Sequence, residues 1–219
     1  MSELRTFDDR KTLQRAAGEL IASTLRAAIV ERSEAHMALS GGSTPGPVYE
    51  ALSTKESVDW EKVVVTLADE RLTPSEDRTN SNQALVESTL LQNAGRHARF
   101  RAPEAGRDLP IQDLILLGMG GDGHFASIFP QLPNLEEVLS GDAPDVMHVA
   151  PDPLPDNAPY ERLTMSLPAI LRGRSILLLI TGEDKREVFE EAKRSTPREH
   201  PISALLAAEP AQLVTYWAP

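Results

Sequence analysis

Leu114-Ile115-Leu116-Leu117-Gly118-Met119-Gly120-Gly121-Asp122-Gly123-His124 is an unbroken apolar run that ends in a glycine-rich turn carrying an acid and an imidazole. Four aliphatic residues without polar alternation are the pattern of a strand buried on both faces. Such a strand belongs in a parallel sheet with helices packed on each side. Val63-Val64-Val65-Thr66-Leu67 and the segment Ser175 to Ile180 repeat the pattern, and Leu213 to Trp217 reads as a last strand. Met37-Ala38-Leu39 is a shorter apolar segment, and Arg162 to Ser166 alternates.

Between these runs the spacing changes to three and four. Leu13, Ala16, Ala17, Leu20, Ile21, Thr24, Leu25 and Ala28 form one apolar stripe of a helix, with Asp8 or Asp9 available to cap its start. Further helices are predicted around Val48, Tyr49 and Leu52, from Ala84 to Leu91, from Glu183 to Lys193, and around Ile202, Leu205 and Leu206. Proline content rises and periodicity disappears between Pro130 and Pro159, which reads as a long excursion with at most one short strand, Val146 to Val149. The alternation of strands and helices predicts an α/β fold with a mostly parallel sheet.

The chain has 219 residues, and at roughly 150 residues per domain, with no linker visible, it is expected to form one domain over 1–219. It is 41% hydrophobic and 25% charged, a globular composition. Lys and Arg number 22 against 33 Asp and Glu, so the net charge of −11 disfavours nucleic-acid and anionic-membrane partners. Without cysteine the chain has no disulfide, thiolate metal site or thiol nucleophile. The charged start MSELRTFDDRK does not read as a signal peptide, and the longest apolar run, Ile176 to Ile180, is too short to span a bilayer. A cytoplasmic protein, monomeric or weakly homodimeric, is expected.

In open parallel sheets ligands bind beyond the carboxyl ends of the strands. Four polar segments follow apolar strand candidates: Ser40–Gly46, Asp69–Arg71, Gly118–His124 and Thr181–Lys185. In Ser40-Gly41-Gly42-Ser43-Thr44-Pro45-Gly46, two glycines permit close backbone approach, and free N–H groups at a helix start attract an anion. The same segment also reads as a plain turn with Ser43 or Thr44 as helix cap and Pro45 at the first helical position. Gly118, Gly120 and Gly123 satisfy G-x-G-x-x-G, the dinucleotide fingerprint. That reading needs an acidic residue at the end of a second strand about 20 residues on, and a helix after the turn. Glu136 and Glu137 lie instead in the proline-flanked excursion, and Pro130 follows closely, so a nicotinamide cofactor is disfavoured.

Of five histidines, His124 alone ends a glycine-rich strand turn; His36, His97, His148 and His200 are assigned to solvent or to satisfied structural positions. An imidazole takes and returns a proton near neutrality, which suits His124 to general acid–base work. Asp122 either orients that ring or braces the loop. No second histidine stands at metal-ligand spacing. Arg162 and Lys185, cations beside strand ends in an acidic chain, suggest an anionic ligand such as phosphate, although solvated surface charge is the usual fate of such residues. Arg71 either meets ligand or pairs with its neighbours Asp69 and Glu70.

Taken together, LSGGSTP at 39–45, ADERLTPSEDRTNSN at 68–82 and LILLGMGGDGHFASIFP at 114–130 resemble the 6-phosphogluconolactonase family, within the larger group that includes glucosamine-6-phosphate isomerase/deaminases. Weaker matches are RLTMSLPAI at 162–170, LLITGEDK at 178–185 and PISALL at 201–206. The resemblance implies a three-layer, Rossmann-like fold shared with ribose-5-phosphate isomerase relatives. It implies hydrolysis of 6-phosphoglucono-1,5-lactone to 6-phosphogluconate without cofactor or catalytic metal. By the same resemblance His124 is the general base, and Gly41, Gly42, Ser43 and Thr44 form the phosphate loop, with Lys185 and Arg162 as cationic contacts. Asp69, Arg71, Gly120, Gly121 and Asp122 fall at further positions lining the site. Backbone N–H groups of the Gly120–Gly123 turn and Arg71 are both candidate oxyanion donors.

Two departures stand out. Deaminases of the group carry a catalytic glutamate five residues after the motif histidine, where this chain has Phe129, and Tyr160 replaces an expected proline. An amino-sugar phosphate isomerase/deaminase is therefore the disfavoured enzyme alternative. A non-catalytic sugar-phosphate sensor is the alternative from another class. It lacks support from any DNA-binding helix pair or basic patch in the chain.

Overall fold

The computed structural model describes residues 3–156, 158–210 and 212–219. Its main sheet contains β1 (Glu3–Thr6), β2 (Ala35–Leu39), β3 (Val63–Leu67), β5 (Arg99–Phe100), β6 (Leu114–Gly118), β9 (Ile176–Thr181) and β10 (Leu213–Ala218). All seven run parallel, in the order β1-β10-β9-β6-β2-β3-β5. A second, antiparallel sheet of β4 (Asp69–Arg71), β8 (Arg162–Met165) and β7 (Val146–Val149) leaves the main one directly after β3.

The apolar runs behave as their composition dictates. Leu114 and Leu116 of β6 enter one core, while Ile115 and Leu117 enter the other. β9 divides likewise, with Leu177 and Leu179 on one side and Ile176, Leu178 and Ile180 on the other. On the first face lie α1 (Arg10–Arg32), α2 (Gly46–Ser53) and α3 (Asn82–Thr89), contributing among others Leu13, Ile21, Leu52 and Val86. On the second lie α4 (Leu135–Leu139), α5 (Leu167–Leu171), α6 (Glu183–Ala192) and α7 (Ile202–Ala207), with Leu135, Ile170, Phe189 and Leu205. The expected three-layer arrangement is present. No helix among the described residues is long and apolar enough to cross a membrane.

Asp9 caps α1, its Oδ1 accepting from the Thr12 amide at 2.7 Å. The capping reading of the 40–46 segment fails: α2 starts at Gly46 with Pro45 at its N-cap position, Pro47 in the first turn, and no side-chain cap. Asp69–Arg71, a polar segment for which the sequence predicts no strand, is a strand, and the 130–160 excursion contains α4 as well as the expected β7. No helix opens on the glycine-rich turn; the next one is α4, beginning at Leu135. The geometry of a dinucleotide fingerprint is therefore missing.

Chain order reverses between β2 and β6. From β2 the chain proceeds outward to β3 and β5, whereas β6 leads the other way to β9 and β10. The loops leaving these two adjacent strands diverge, which opens a crevice at the carboxyl end of the sheet.

Candidate active site

That crevice is a cleft of about 300 Å³ lined by Ser40–Pro45, Asp69, Arg71, Asn82, Gly118–Gly120, His124, Ala126, Leu179 and Lys185. Nine of the positions singled out in the sequence meet there: Gly41, Gly42, Ser43, Thr44, Asp69, Arg71, Gly120, His124 and Lys185. Gly121, Asp122 and Arg162 do not line it.

One wall is the loop after β2. The Ser40 amide donates to the Leu116 carbonyl at 3.1 Å, and buried Tyr49 donates its hydroxyl to the Ser40 carbonyl at 2.7 Å. Beyond that tie, the amides of Gly41, Gly42, Ser43 and Thr44 donate to no acceptor among the described residues. Gly42 has φ +106°, a conformation glycine adopts without strain. At Gly41 a Cβ would stand 1.8 Å from Asn82 Oδ1, so only hydrogen fits beside α3. Asn82 in turn donates to the Asp69 carbonyl at 2.8 Å. Glu70 seats α3 against this wall: its carboxylate accepts from the amides of Asn82 at 2.8 Å and Gln83 at 2.7 Å.

The opposing wall is the glycine-rich turn. The Gly120 amide donates to the His124 carbonyl at 2.8 Å and the Gly123 amide to the Gly120 carbonyl at 3.1 Å. His124 Nδ1 lies 2.5 Å from Asp122 Oδ1, which also accepts from the His124 amide at 3.1 Å. Asp122 therefore orients the ring and braces the loop at once. A Cβ at Gly120 would fall 2.1 Å from His124 Nδ1, so this position must be bare for the ring to lie where it does. Burial disfavours the charge on Asp122, but the His124 hydrogen bond and charge outweigh it and hold the carboxyl below its ordinary range. An ionised acceptor keeps the proton on Nδ1 and leaves the Nε2 lone pair unpartnered among the described residues. Phe129 stacks on the imidazole, with centroids 4.1 Å apart and planes 23° from parallel.

Positive charge gathers here although the chain is acidic. Lys185, in the first turn of α6, is half-buried; desolvation lowers its pKa and the like charge of Arg10 adds to that, while Asp184 and Asp122 oppose it. Arg71 donates Nη1 to the Asn80 carbonyl at 2.9 Å, and its other guanidinium donors find no acceptor among the described residues. Arg162 faces Arg71 across β8 and β4 but is only 2% exposed. Its guanidinium donates to the carbonyls of Tyr160 and Ala158 and rests over the Phe129 ring, 4.8 Å from the centroid. Desolvation, with the charge of Arg71, lowers its pKa against the pull of Asp69. It lies behind the cleft wall rather than in it. Gly121 is exposed on the outside of the turn.

Several contributors carried no local signal in the sequence. Asn82 sits within a polar stretch, Glu70 looked like a partner for Arg71, and Ser127 lies inside the 114–130 block. Ser127 donates its hydroxyl to Asp69 Oδ2 at 2.6 Å, which joins the motif segment to β4. Among the described residues no three acidic or imidazole side chains cluster as a metal site.

Known proteins resemble this chain over nearly its whole length. The family model described as glucosamine-6-phosphate isomerases/6-phosphogluconolactonase matches residues 8–105 and 95–217. A 6-phosphogluconolactonase of Mesorhizobium japonicum is 39% identical over 232 aligned positions, covering 97% of this chain and 94% of that protein. One from Neisseria meningitidis is 34% identical, covering 91% of this chain and 92% of its own. The crystal structure of a 6-phosphogluconolactonase from Shewanella baltica superposes with a TM-score of 0.90 at 34% identity, over 100% of this chain and 98% of that one. A monomeric glucosamine-6-phosphate deaminase, 21% identical with a TM-score of 0.78, shares the fold. With near-complete coverage by sequence and by structure, this chain belongs to the glucosamine-6-phosphate isomerase/6-phosphogluconolactonase family.

Proposed function

We infer that the cleft hydrolyses 6-phosphoglucono-1,5-lactone to 6-phosphogluconate, the lactone-opening step of the oxidative pentose phosphate pathway. The observation that carries the reading is His124, held 2.5 Å from Asp122 behind it and facing a cleft that also holds four uncommitted amides and a half-buried lysine. A base beside an anion-binding loop is what a phosphorylated ester needs.

In this mechanism the substrate phosphate sits on the amides of Gly41–Thr44, with the hydroxyls of Ser43 and Thr44 and the ammonium of Lys185 completing the pocket. Holding the phosphate fixes the lactone carbonyl relative to His124, a gain in orientation. His124 Nε2 takes a proton from water as the water oxygen attacks the carbonyl carbon, and the carbonyl electrons move onto oxygen. Asp122 stabilises the resulting imidazolium without accepting its proton. When the tetrahedral intermediate collapses, the bond from the carbonyl carbon to the ring oxygen breaks and the imidazolium returns its proton to that oxygen. The amides of Gly120 and Gly123 are already spent inside the turn, whereas Arg71 lines the cleft with guanidinium donors still free among the described residues, and the oxyanion is assigned to it on that ground. Arg162, buried behind Arg71, adds positive potential to that wall instead of touching substrate.

The deaminase alternative needs a carboxylate where Phe129 stacks against the imidazole, and an apolar ring supplies no proton acceptor there. A cytoplasmic protein that works as a monomer or weak homodimer goes with the lactonase reading.

Acid release from freshly generated 6-phosphogluconolactone, with the spontaneous rate subtracted, is the test. The wild-type protein should accelerate it, and His124→Ala should lower kcat by about 10²–10⁴-fold, the usual worth of general acid–base help. His124→Ala should still bind 6-phosphogluconate. Wild-type protein that binds 6-phosphogluconate without accelerating hydrolysis would establish a sensor instead.

A further inference from the structure

His200 belongs to the connection between α6 and α7, far along the chain from the glycine-rich turn, yet it lies directly against that turn. Its Nδ1 stands 3.2 Å from the main-chain carbonyl oxygen of Asp122. A carbonyl only accepts, so this nitrogen carries the proton and donates. Two residues further on, the Ile202 amide donates to the Gly123 carbonyl at 2.9 Å. The contact between the two segments is close enough to exclude a side chain: a Cβ at Gly123, where φ is +77°, would meet His200 Cβ at 2.7 Å.

The connection is held on its own account. Glu199 accepts from the amide and hydroxyl of Thr196, and the His200 amide donates to the Thr196 carbonyl at 2.9 Å. Arg198 binds both carboxylate oxygens of Glu136 and the Leu132 carbonyl, which ties the same connection to the segment after Phe129. On its far side His200 Nε2 is 3.8 Å from Glu191 Oε2. Asp122 is thus gripped from two directions. Its main chain is fixed by His200, and its carboxylate meets the His124 ring.

From this arrangement we propose that His200 is a positioning residue of the hydrolytic site. It holds the Asp122 carbonyl so that the carboxylate of the same residue keeps the His124 ring in line. The proposal rests on the reading of His124 as the base. Loss of the bond leaves a partly buried carbonyl without its donor and lets the Asp122–Gly123–His124 segment shift. The phosphate loop at 41–44 and Lys185 stay in place, so the loss falls on turnover rather than on binding.

Three variants separate a specific hydrogen bond from mere bulk. His200→Asn places an amide N–H where Nδ1 was; His200→Gln keeps comparable bulk but carries its amide beyond that point; His200→Ala removes both. His200→Ala and His200→Gln should lower kcat roughly 10- to 100-fold with KM nearly unchanged, the cost of a small misplacement of reacting groups. His200→Asn should recover most of the loss. Proton NMR of the His124 Nδ1–H bonded to Asp122 provides a readout independent of turnover. Its resonance should shift in His200→Gln and stay near the wild-type position in His200→Asn.

Wild-type kcat and an unmoved resonance in His200→Gln would overturn the proposal, as would equal loss in the Asn and Gln variants or a parallel rise in KM. Should His200→Ala fail to fold, the Asn–Gln comparison decides. Wild-type protein without hydrolysis would sink the lactonase reading instead, and His124→Ala with full hydrolysis would remove only the role of His124 as base; in either case the resonance would still report on the contact made by His200.

Discussion

Lys185 illustrates how burial tunes a single residue. Half-buried, it keeps its proton less readily than a solvated lysine, and only the ammonium form attracts a phosphate dianion. The sign follows: as pH rises, affinity for 6-phosphogluconate should fall through a point below the ordinary lysine range. Isothermal titration of wild type and Lys185→Arg from neutral to alkaline pH checks this, since an arginine keeps its charge throughout and should flatten the curve. An equal alkaline loss in both would assign it to another group. At this scale His124, Asp122 and the bare positions at 41, 42 and 120 were legible in the sequence, because glycines and polar residues directly after an apolar run mark a tight turn at a strand end. Asn82 and Ser127 were not, since a polar residue in a polar or mixed segment shows its role only when its partner from another strand is known. Arg162 shows the opposite failure: its charge was legible, but its burial against Phe129 was decided by the pairing of β8 with β4.

Among the elements, those with enough length to show a period were readable. α1 repeats its apolar stripe over 23 residues, and the runs of β3, β6 and β9 are dominated by aliphatic side chains. The missed elements are short. β1 has four residues, β4 three, β5 two, and α4 and α5 five each, so none sustains its pattern beyond two periods. Such pieces exist because neighbours complete them. Asp145 shows how: its carboxylate accepts two bonds from Arg172, at 2.8 and 2.6 Å, and one from the Leu109 amide at 2.8 Å, which ties the start of β7 to the end of α5. The Arg172 bonds hold Asp145 below the ordinary carboxylate range against the effect of burial. Its contribution is complete above the ordinary carboxylate pKa and is lost as pH falls through the lowered value. Asp145→Asn should cost about 1–3 kcal/mol at neutral pH and less in acid. Urea unfolding at both pH values checks it; an equal cost at both would show that ionisation of Asp145 is not what Arg172 reads.

For the whole molecule, stability rests on a sheet buried on both faces, with β6 at its centre between β2 and β9. Leu116 is fully buried in the core beneath α1 and α2, on the strand that feeds the glycine-rich turn. Leu116→Ala should lower stability by about 2–5 kcal/mol through lost burial and the cavity left behind. KM should stay near its wild-type value, because the side chain points into the core and not the cleft. A thermal melt with kinetics below the transition tests both halves, and a KM that moves while stability holds would contradict the picture. Fold class, parallel sheet and the loops at its carboxyl edge were all readable from the residues in order, because burial on two faces and glycine turns write themselves into local composition. Folding in three dimensions was needed to make β2 and β6 neighbours with diverging loops, to set Arg162 behind the cleft, and to bring His200 against Asp122. Those facts depend on which distant segments meet, and contact between residues far apart in the chain leaves no periodic or compositional trace in either partner.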